Sequence, residues 1–161
     1  DQSGLDLLDI EKRGALFPVG RLNIDTEGLL LLTNDGDLAH RLLSPKKHVD
    51  KTYYAVVSGK LPPDVVKIMA AGMKLSDEVI LKPAHLEILS TDDAGSQVRL
   101  TIREGKFHQI KRMFEALGCQ VEFLKRLSMG SLSLDPDLQP GEFRVLSETE
   151  VQMLKGDKEL I

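Results

Sequence analysis

The sequence predicts an α+β fold in which a mixed, mostly antiparallel sheet is flanked by helices. Segments with the period of an amphipathic helix stand among six or more segments that are β-branched, aromatic or alternating in polarity. Many of the strand-like segments are separated by gaps of hairpin length. Helices and strands do not alternate regularly, as they would in a parallel sheet built from βαβ units. The pattern therefore favours α+β over α/β.

The chain is long enough to bury a core of its own. It has 161 residues, of which 42% are hydrophobic and 29% charged, as in ordinary globular proteins. We therefore expect a single domain over residues 1–161. No apolar run approaches the roughly 18 residues of a membrane span. Cys119 is the only cysteine, which excludes an intrachain disulfide and predicts a buried structural thiol in a reducing, cytoplasmic protein.

The first part of the chain is predicted to hold short elements around one polar loop, Gly20–Glu27. Leucine spacing in residues 1–10 indicates a short helix or an irregular lead-in. A proline confines the apolar residues 16–19 to an edge strand or a loop entry. Leu29–Leu32 are bounded by glycine and by Asn-Asp-Gly, which predicts a short strand buried on both faces. Asp37 is predicted to cap a helix that runs to Leu43.

The second part mixes predicted strands and helices. Strands are predicted at 51–57, 79–81, 84–89, 97–103, 121–127, 131–134 and 144–146. Helices are predicted at 65–71, 108–117 and 148–154. Neighbouring residues of a strand project to opposite faces, so one of Tyr53 and Tyr54 is expected to face the core.

Charge is distributed unevenly along the chain, whose net charge is −4. Residues 103–126 contain six Lys or Arg against three Glu, whereas residues 135–161 contain seven acids against three bases. A basic middle with an acidic end is compatible with a nucleic-acid surface on one side of the fold. It is equally compatible with two unrelated solvated surfaces.

Three stretches hold side chains that can carry chemistry. The polar loop presents Arg21, Asn23 and Asp25 at alternate positions, and the plainer interpretation is a solvated turn. Tyr53 can stack on a base and hydrogen-bond through its hydroxyl, unless it is an ordinary strand aromatic. Residues 105–112 gather cations around a helix N-terminus, which suits either phosphate contacts or a solvated helix face.

Several other chemistries are not indicated by the sequence. The four histidines show neither mutual zinc-ligand spacing nor a cysteine partner at such spacing. There is no Gly-x-Gly-x-x-Gly motif and no Walker loop. Neither a metal site nor a nucleotide cofactor is therefore expected.

The three stretches, in this order, resemble the signatures of the RsuA-type branch of the ribosomal RNA pseudouridine synthases. The similar residues of these three stretches are Gly20–Gly36, Lys51–Tyr53 and Glu104–Met113, and a fourth similar stretch is Leu138–Arg144. The resemblance implies the pseudouridine synthase fold and isomerisation of a uridine to pseudouridine in ribosomal RNA, without a cofactor. We expect the RNA to be that of the small subunit, free or in an immature subunit, and the protein to be a monomer.

The resemblance also implies roles for individual residues. Arg21 would displace or hold the uridine that is flipped out of the RNA. Tyr53 would stack on the flipped base and serve in proton transfer at C5, and Lys111 would be the basic partner of the catalytic carboxylate. The further residues expected to bind the substrate RNA are Lys106, His108 and Arg112.

The chain departs from the family pattern at its catalytic position. The essential aspartate of the family follows Arg-Leu, and here that residue is Asn23. An amide has nearly the shape of a carboxylate, but it is uncharged and is neither a nucleophile at carbon nor a base near neutral pH. Three explanations are open: an inactivating change in an ordinary synthase, a catalytically inactive relative that binds RNA, or a carboxylate supplied by Asp25. The last requires a displacement of about 6–7 Å, far beyond catalytic tolerance.

Length is the second departure. Members of this branch usually carry a small S4-like RNA-binding domain and an apolar strand with Asn-Lys-Pro ahead of the loop, and this sequence holds neither. We therefore expect a catalytic domain that is truncated at its N-terminus relative to the family, which puts its affinity for RNA in question.

Overall fold

A computed structural model describes residues 17–18, 26–43, 49–76, 78–106 and 108–160. The strands in these ranges are β1 (Phe17–Pro18), β2 (Glu27–Gly28), β3 (Leu32–Thr33), β4 (Lys51–Ser58), β5 (His85–Thr91), β6 (Gly95–Ile102), β7 (Gln120–Met129) and β8 (Leu132–Ser133). The helices are α1 (Gly36–Leu43), α2 (Val65–Ala70), α3 (Gln109–Ala116) and α4 (Glu148–Leu160). The lead-in predicted for residues 1–10 lies outside the described residues.

Six of these strands form one sheet. Their order is β2-β7-β4-β6-β5, and β8 pairs with β7 beside this path. Within this sheet β2 runs parallel to β7, and the other described pairs are antiparallel. A separate antiparallel pair joins β1 to β3. The predicted α+β class, with a mixed and mostly antiparallel sheet, is confirmed.

The two faces of the central strand β4 differ as its alternation predicts. Tyr53 packs against the buried core on one face. Tyr54 lies on the other face, where its ring meets that of Phe123 edge-on, with the centroids 6.0 Å apart. The prediction that the two tyrosines project to opposite sides is confirmed.

The buried residues form two clusters, which we call core 1 and core 2. Core 1 lies between the sheet and the helices α2 and α3, and it includes the fully buried Phe114. Core 2 gathers α1, Leu31 and Leu154 of α4. Strand β7 contributes Leu124 to core 1 and Met129 to core 2. The two cores therefore meet along β7.

The strand predicted over Leu29–Leu32, buried on both faces, is wrong in its length and in its burial. Strand β3 takes in only Leu32 of the four, and Leu31 is the one buried leucine, while the others are half-buried. The reason is that Gly28 and Leu29 are held against β7, so the chain bends from the large sheet towards the small one over these residues. The predicted cap of α1 is also wrong, because the Leu38 N–H donates to Asp35 Oδ1 at 3.0 Å.

Two predicted strands do not form. Residues 79–81 take part only in an isolated bridge between Lys74 and Ile80. Residues 144–146 pair with no described strand, and the Arg144 side chain is tied instead to two acids. The buried thiol predicted at Cys119 is confirmed, and burial raises its pKa.

Candidate active site

Tyr53 lies on β4, the central strand of the large sheet, and the neighbouring strands fix its position. Strand β4 has β6 on one side and β7 on the other, so Tyr53 lies between Leu100 and Arg126. The pairing with β7 shifts register between Thr52 and Tyr53, which marks an irregularity of the bulge type beside the tyrosine. Tyr53 is half-buried against core 1. Packing therefore holds the ring while part of the residue reaches solvent.

The exit of the polar loop is fixed next to Tyr53. Gly28 pairs with Arg126 in the parallel ladder. The Leu29 N–H donates to the Arg126 carbonyl at 2.9 Å, and Arg126 Nε donates to the Leu29 carbonyl at 2.8 Å. Gly28 has a φ of 112°, and a Cβ there would lie 2.2 Å from the Arg126 carbonyl oxygen, so this approach requires glycine. The chain thus leaves the loop directly against the neighbour of Tyr53.

A buried carboxylate organises the turn before α3. Glu104 Oε2 accepts hydrogen bonds from the Lys82 backbone N–H at 2.7 Å and from Gln109 Nε2 at 3.1 Å. Its Oε1 lies 3.6 Å from Lys106 Nζ. Gln109 Oε1 in turn accepts from the Lys106 backbone N–H at 3.1 Å. Because Glu104 and Gln109 are both buried, this network fixes the direction in which α3 begins.

His108 occupies the N-cap of α3 in the left-handed conformation, with φ 47° and ψ 37°. A non-glycine residue in this region stores roughly 1–2 kcal/mol of strain. The Arg112 N–H donates to the His108 carbonyl at 3.0 Å, so the helical hydrogen bonding begins at this strained residue. His108, Lys111 and Arg112 are half-buried and Lys106 is exposed. Lys106 before the helix and Lys111 and Arg112 in its first turn therefore place cationic groups at the start of α3, around His108.

Two buried cations lie next to Tyr53. Lys51 precedes it by two residues on the same face of β4, and Arg126 lies opposite it on β7; they are 9% and 3% exposed. Burial, followed by the charge of Arg126, lowers the pKa of Lys51, and Glu104 acts in the opposite direction. A Cβ on Gly105 would lie 3.6 Å from Lys51 Nζ, so Lys51 spans from the strand of Tyr53 to the turn before α3.

The structure brings together parts of all three predicted stretches. The predicted site residues that it describes are Tyr53, Lys106, His108, Lys111 and Arg112. Arg21, Asn23 and Asp25 lie outside the described residues, and their placement relative to Tyr53 and Lys111 stays a prediction. The exit of their loop and the turn before α3 both reach the same end of β4.

Sequence reasoning missed four polar residues of this site. They are Lys51, Glu104, Gln109 and Arg126. Two of them carried a readable signal, because Lys51 and Arg126 are charged residues at core-facing positions of predicted strands, where alternation calls for apolar residues. Gln109 carried a weaker one, since it stands beside Ile110 at the start of the apolar face of α3.

The site offers cations, a phenol and hydrogen-bond donors. Among the described residues, no group of three or more His, Cys, Asp and Glu side chains is arranged to hold a metal ion. No helix in the described ranges has the length and apolar character needed to cross a bilayer.

A half-buried aromatic ring bordered by basic side chains suits a polyanion that carries stacking bases.

Comparison with known proteins identifies the family. The sequence profile of the RNA pseudouridylate synthases matches residues 2–116, which is more than half of the chain. The matched range contains the polar loop, Tyr53 and all of α3. The chain belongs to the RNA pseudouridylate synthase family.

Similar members of this family include rRNA-modifying enzymes. The chain is 50% identical over 154 residues to an uncharacterized RNA pseudouridine synthase, YtzG, of Bacillus subtilis (strain 168), covering 95% of this chain and 64% of the relative. It is 45% identical over 148 residues to the ribosomal small subunit pseudouridine synthase A of Escherichia coli (strain K12), covering 91% and 62%. The chain thus spans less than two thirds of the length of these relatives. The resemblance to the RsuA-type branch is confirmed.

Solved structures share the fold of this chain. A crystal structure of a pseudouridylate synthase superposes with a TM-score of 0.87 at 42% identity, covering 94% of this chain and 65% of that one. The archaeal box H/ACA Nop10–Cbf5 complex matches with a TM-score of 0.56 at 21% identity, covering 82% of this chain and 42% of that one, and shows the fold alone. The predicted pseudouridine synthase fold is confirmed by the first of these structures.

Proposed function

We propose that this chain isomerises a uridine of small-subunit ribosomal RNA to pseudouridine, as a monomer in the cytoplasm and without a cofactor. The observation that carries the proposal is the convergence on one end of β4: the loop exit reaches Tyr53 through Arg126, and the turn before α3 reaches it through Lys51. Similar family members are ribosomal small subunit pseudouridine synthases, which supports this choice of RNA.

The proposed reaction rearranges one nucleotide. The N1–C1′ bond breaks, the base turns, C5 joins C1′, and the proton lost from C5 is balanced by one gained at N1. Tyr53 stacks on the base and serves in the proton transfer at C5. Lys111 is the basic partner of a carboxylate at position 23, which Asn23 does not supply and Asn23→Asp would restore, and Arg21 holds the flipped base.

The cations around α3 are proposed to hold the RNA. Flipping a nucleotide out of a stack costs a few kcal/mol, which contacts to the phosphate backbone can offset. The residues proposed for these contacts are Lys106, His108 and Arg112. Glu104 and Gln109 would keep their turn in place, because their hydrogen bonds join the backbone before α3 to its first residue.

Asn23 favours a second candidate, an RNA-binding relative without catalysis. The amide preserves the shape of a carboxylate and removes its charge, so RNA binding would persist while the chemical step slows. Position 23 therefore separates binding from turnover, and one substitution distinguishes the two candidates.

The test is pseudouridine mapping on ribosomal RNA and on immature small subunits, with the chain itself and with Asn23→Asp. We expect both forms to bind RNA equally and Asn23→Asp to form pseudouridine at least about 100-fold faster, the lower end of the usual contribution of an acid or base. Equal rates in the two forms would show that position 23 does not limit turnover. Absence of pseudouridine from both forms would contradict the proposed function.

A further inference from the structure

We propose that Arg126 is a positioning residue for the isomerisation, one that sets the distance between Tyr53 and Leu29, where the chain leaves the polar loop. This inference rests on the proposed function. Arg126 lies opposite Tyr53 in the β4–β7 ladder and beside Gly28 in the β2–β7 ladder. Arg126 is therefore the residue of β7 that neighbours both Gly28 and Tyr53.

Arg126 holds the loop exit through both its backbone and its side chain. Its carbonyl accepts from the Leu29 N–H at 2.9 Å, and its Nε donates to the Leu29 carbonyl at 2.8 Å. Both polar backbone groups of Leu29 are thus bound to one residue. Arg126 also pairs with Tyr53 in the β4–β7 ladder. A shift of Leu29 relative to Arg126 would therefore also be a shift relative to Tyr53.

Stability alone does not explain an arginine at this place. Its side chain is 97% buried, and its Nη2 has no hydrogen-bond partner among the described residues. The second buried cation, Lys51, lies close enough to repel it. A buried donor without a partner and a like charge nearby both cost free energy. An apolar side chain of similar length would avoid both costs.

A buried acid offsets these two charges only in part, through its effect on Lys51. Glu104 is the one buried acid in the described part of the chain, and it is already engaged by Lys82, Gln109 and Lys106. What the guanidinium supplies, and methionine cannot, is the directed hydrogen bond to the Leu29 carbonyl. The geometry of the loop exit is the feature that depends on it.

The experiment compares Arg126→Met and Arg126→Lys, each made in the chain and in the Asn23→Asp form. The control is Arg99→Met, which removes an exposed arginine of β6 that pairs with Glu87 at 2.9 Å. The measurements are kcat and KM for pseudouridine formation in the Asn23→Asp forms, amide hydrogen exchange at Leu29 and the thermal midpoint. We expect Arg126→Met to lower kcat by about 10- to 100-fold, the scale of an ångström-sized misplacement, with KM nearly unchanged.

We also expect Arg126→Met to accelerate exchange at Leu29 while the thermal midpoint changes little, and Arg126→Lys to recover part of kcat. An unchanged kcat, or a fall in kcat that tracks the thermal midpoint, would overturn the positioning role. Should the Asn23→Asp form show no turnover, the proposed function fails by itself, and exchange at Leu29 still decides the inference. Unaltered Leu29 exchange in Arg126→Met would then overturn it.

Discussion

At the scale of single residues, several groups of the site adopt environments or conformations that cost free energy. Lys51 is a buried cation beside a second buried cation, and His108 is a non-glycine residue with positive φ. Each arrangement costs free energy, and each adjoins Tyr53 or the cationic turn of α3. Such costs commonly gather at functional sites, where geometry matters more than local stability.

The lowered pKa of Lys51 predicts how stability depends on alkaline pH. Below its folded-state pKa, Lys51 is charged in both states and the cost of burying the charge is present in full. Between that pKa and the ordinary lysine value, the unfolded state binds more protons than the folded state, so the free energy of unfolding rises with pH. Lys51→Met should remove this rise in chemical denaturation between neutral and alkaline pH, whereas the exposed Lys60→Met should keep it. Parallel curves for Lys51→Met and the original chain would contradict this prediction.

The left-handed conformation of His108 predicts that two substitutions differ in stability but not in RNA affinity. Glycine adopts this conformation without a steric cost, so His108→Gly should be about 1 kcal/mol more stable than His108→Ala in urea denaturation. If the imidazole contacts RNA, both variants should lose the same RNA affinity in a titration. A less stable His108→Gly would contradict the strain, and unchanged affinity in both variants would remove His108 from the proposed RNA contacts.

At the scale of elements, prediction succeeded where the local pattern and the neighbours agree. Strand β4 and helix α3 were both located to within about one residue at each end, because their apolar periodicity faces core 1. The strand predicted over Leu29–Leu32 was wrong because the conformation of these leucines is set by residues of β7, which are distant in the sequence. The strand predicted over residues 144–146 was wrong for a similar reason. Arg144 forms ion pairs with Asp135 and Glu150, and no described strand pairs with these residues.

The start of α4 depends on Glu150. Ser147 and Glu150 form a capping box, in which the Ser147 N–H donates to Glu150 Oε1 at 2.8 Å and the Glu150 N–H donates to Ser147 Oγ at 3.1 Å. Arg144 also binds both carboxylate oxygens. Hydrogen bonding from Arg144, followed by that from the Ser147 backbone, lowers the pKa of Glu150 to about 2.

Acid should therefore loosen the first turn of α4. The stabilisation is present above the ordinary glutamate pKa and is lost as pH falls from there to about 2, because Glu150 becomes protonated. The hydrogen-exchange protection factors of the first turn, which are taken relative to the intrinsic exchange rate at each pH, should fall over this range, and Glu150→Gln should show low protection already at neutral pH. The neighbouring exposed Thr149→Ala is the control and should exchange slowly at neutral pH. Equal protection in all three proteins would contradict the prediction.

At the scale of the whole molecule, two cores are joined along β7, and the proposed site lies at this junction. The sequence was sufficient for the α+β class and, through its signatures, for the family. It was not sufficient for the junction, because this depends on the parallel pairing of a two-residue strand and on two register shifts between β4 and β7. Local propensity contains little information on either feature.

Gly28 should control the integrity of this junction. A side chain at residue 28 would need a positive φ and would collide with the Arg126 backbone. Gly28→Ala should therefore lower the free energy of unfolding by at least about 2 kcal/mol in chemical denaturation. Gly36→Ala is the matched control, since a Cβ at this first residue of α1 meets nothing within 4 Å, and it should change stability by about 1 kcal/mol or less. Similar stabilities for the two variants would contradict the close approach at Gly28.

The claim that the polar loop, Tyr53 and α3 form one site is tested most directly by two distances in a crystal structure. They run from the Asn23 side chain to the Tyr53 ring and from the Asn23 side chain to Lys111 Nζ. We expect both distances to be within roughly 12 Å, close enough for one nucleotide to contact all three side chains. A longer distance to either residue would contradict the proposed site.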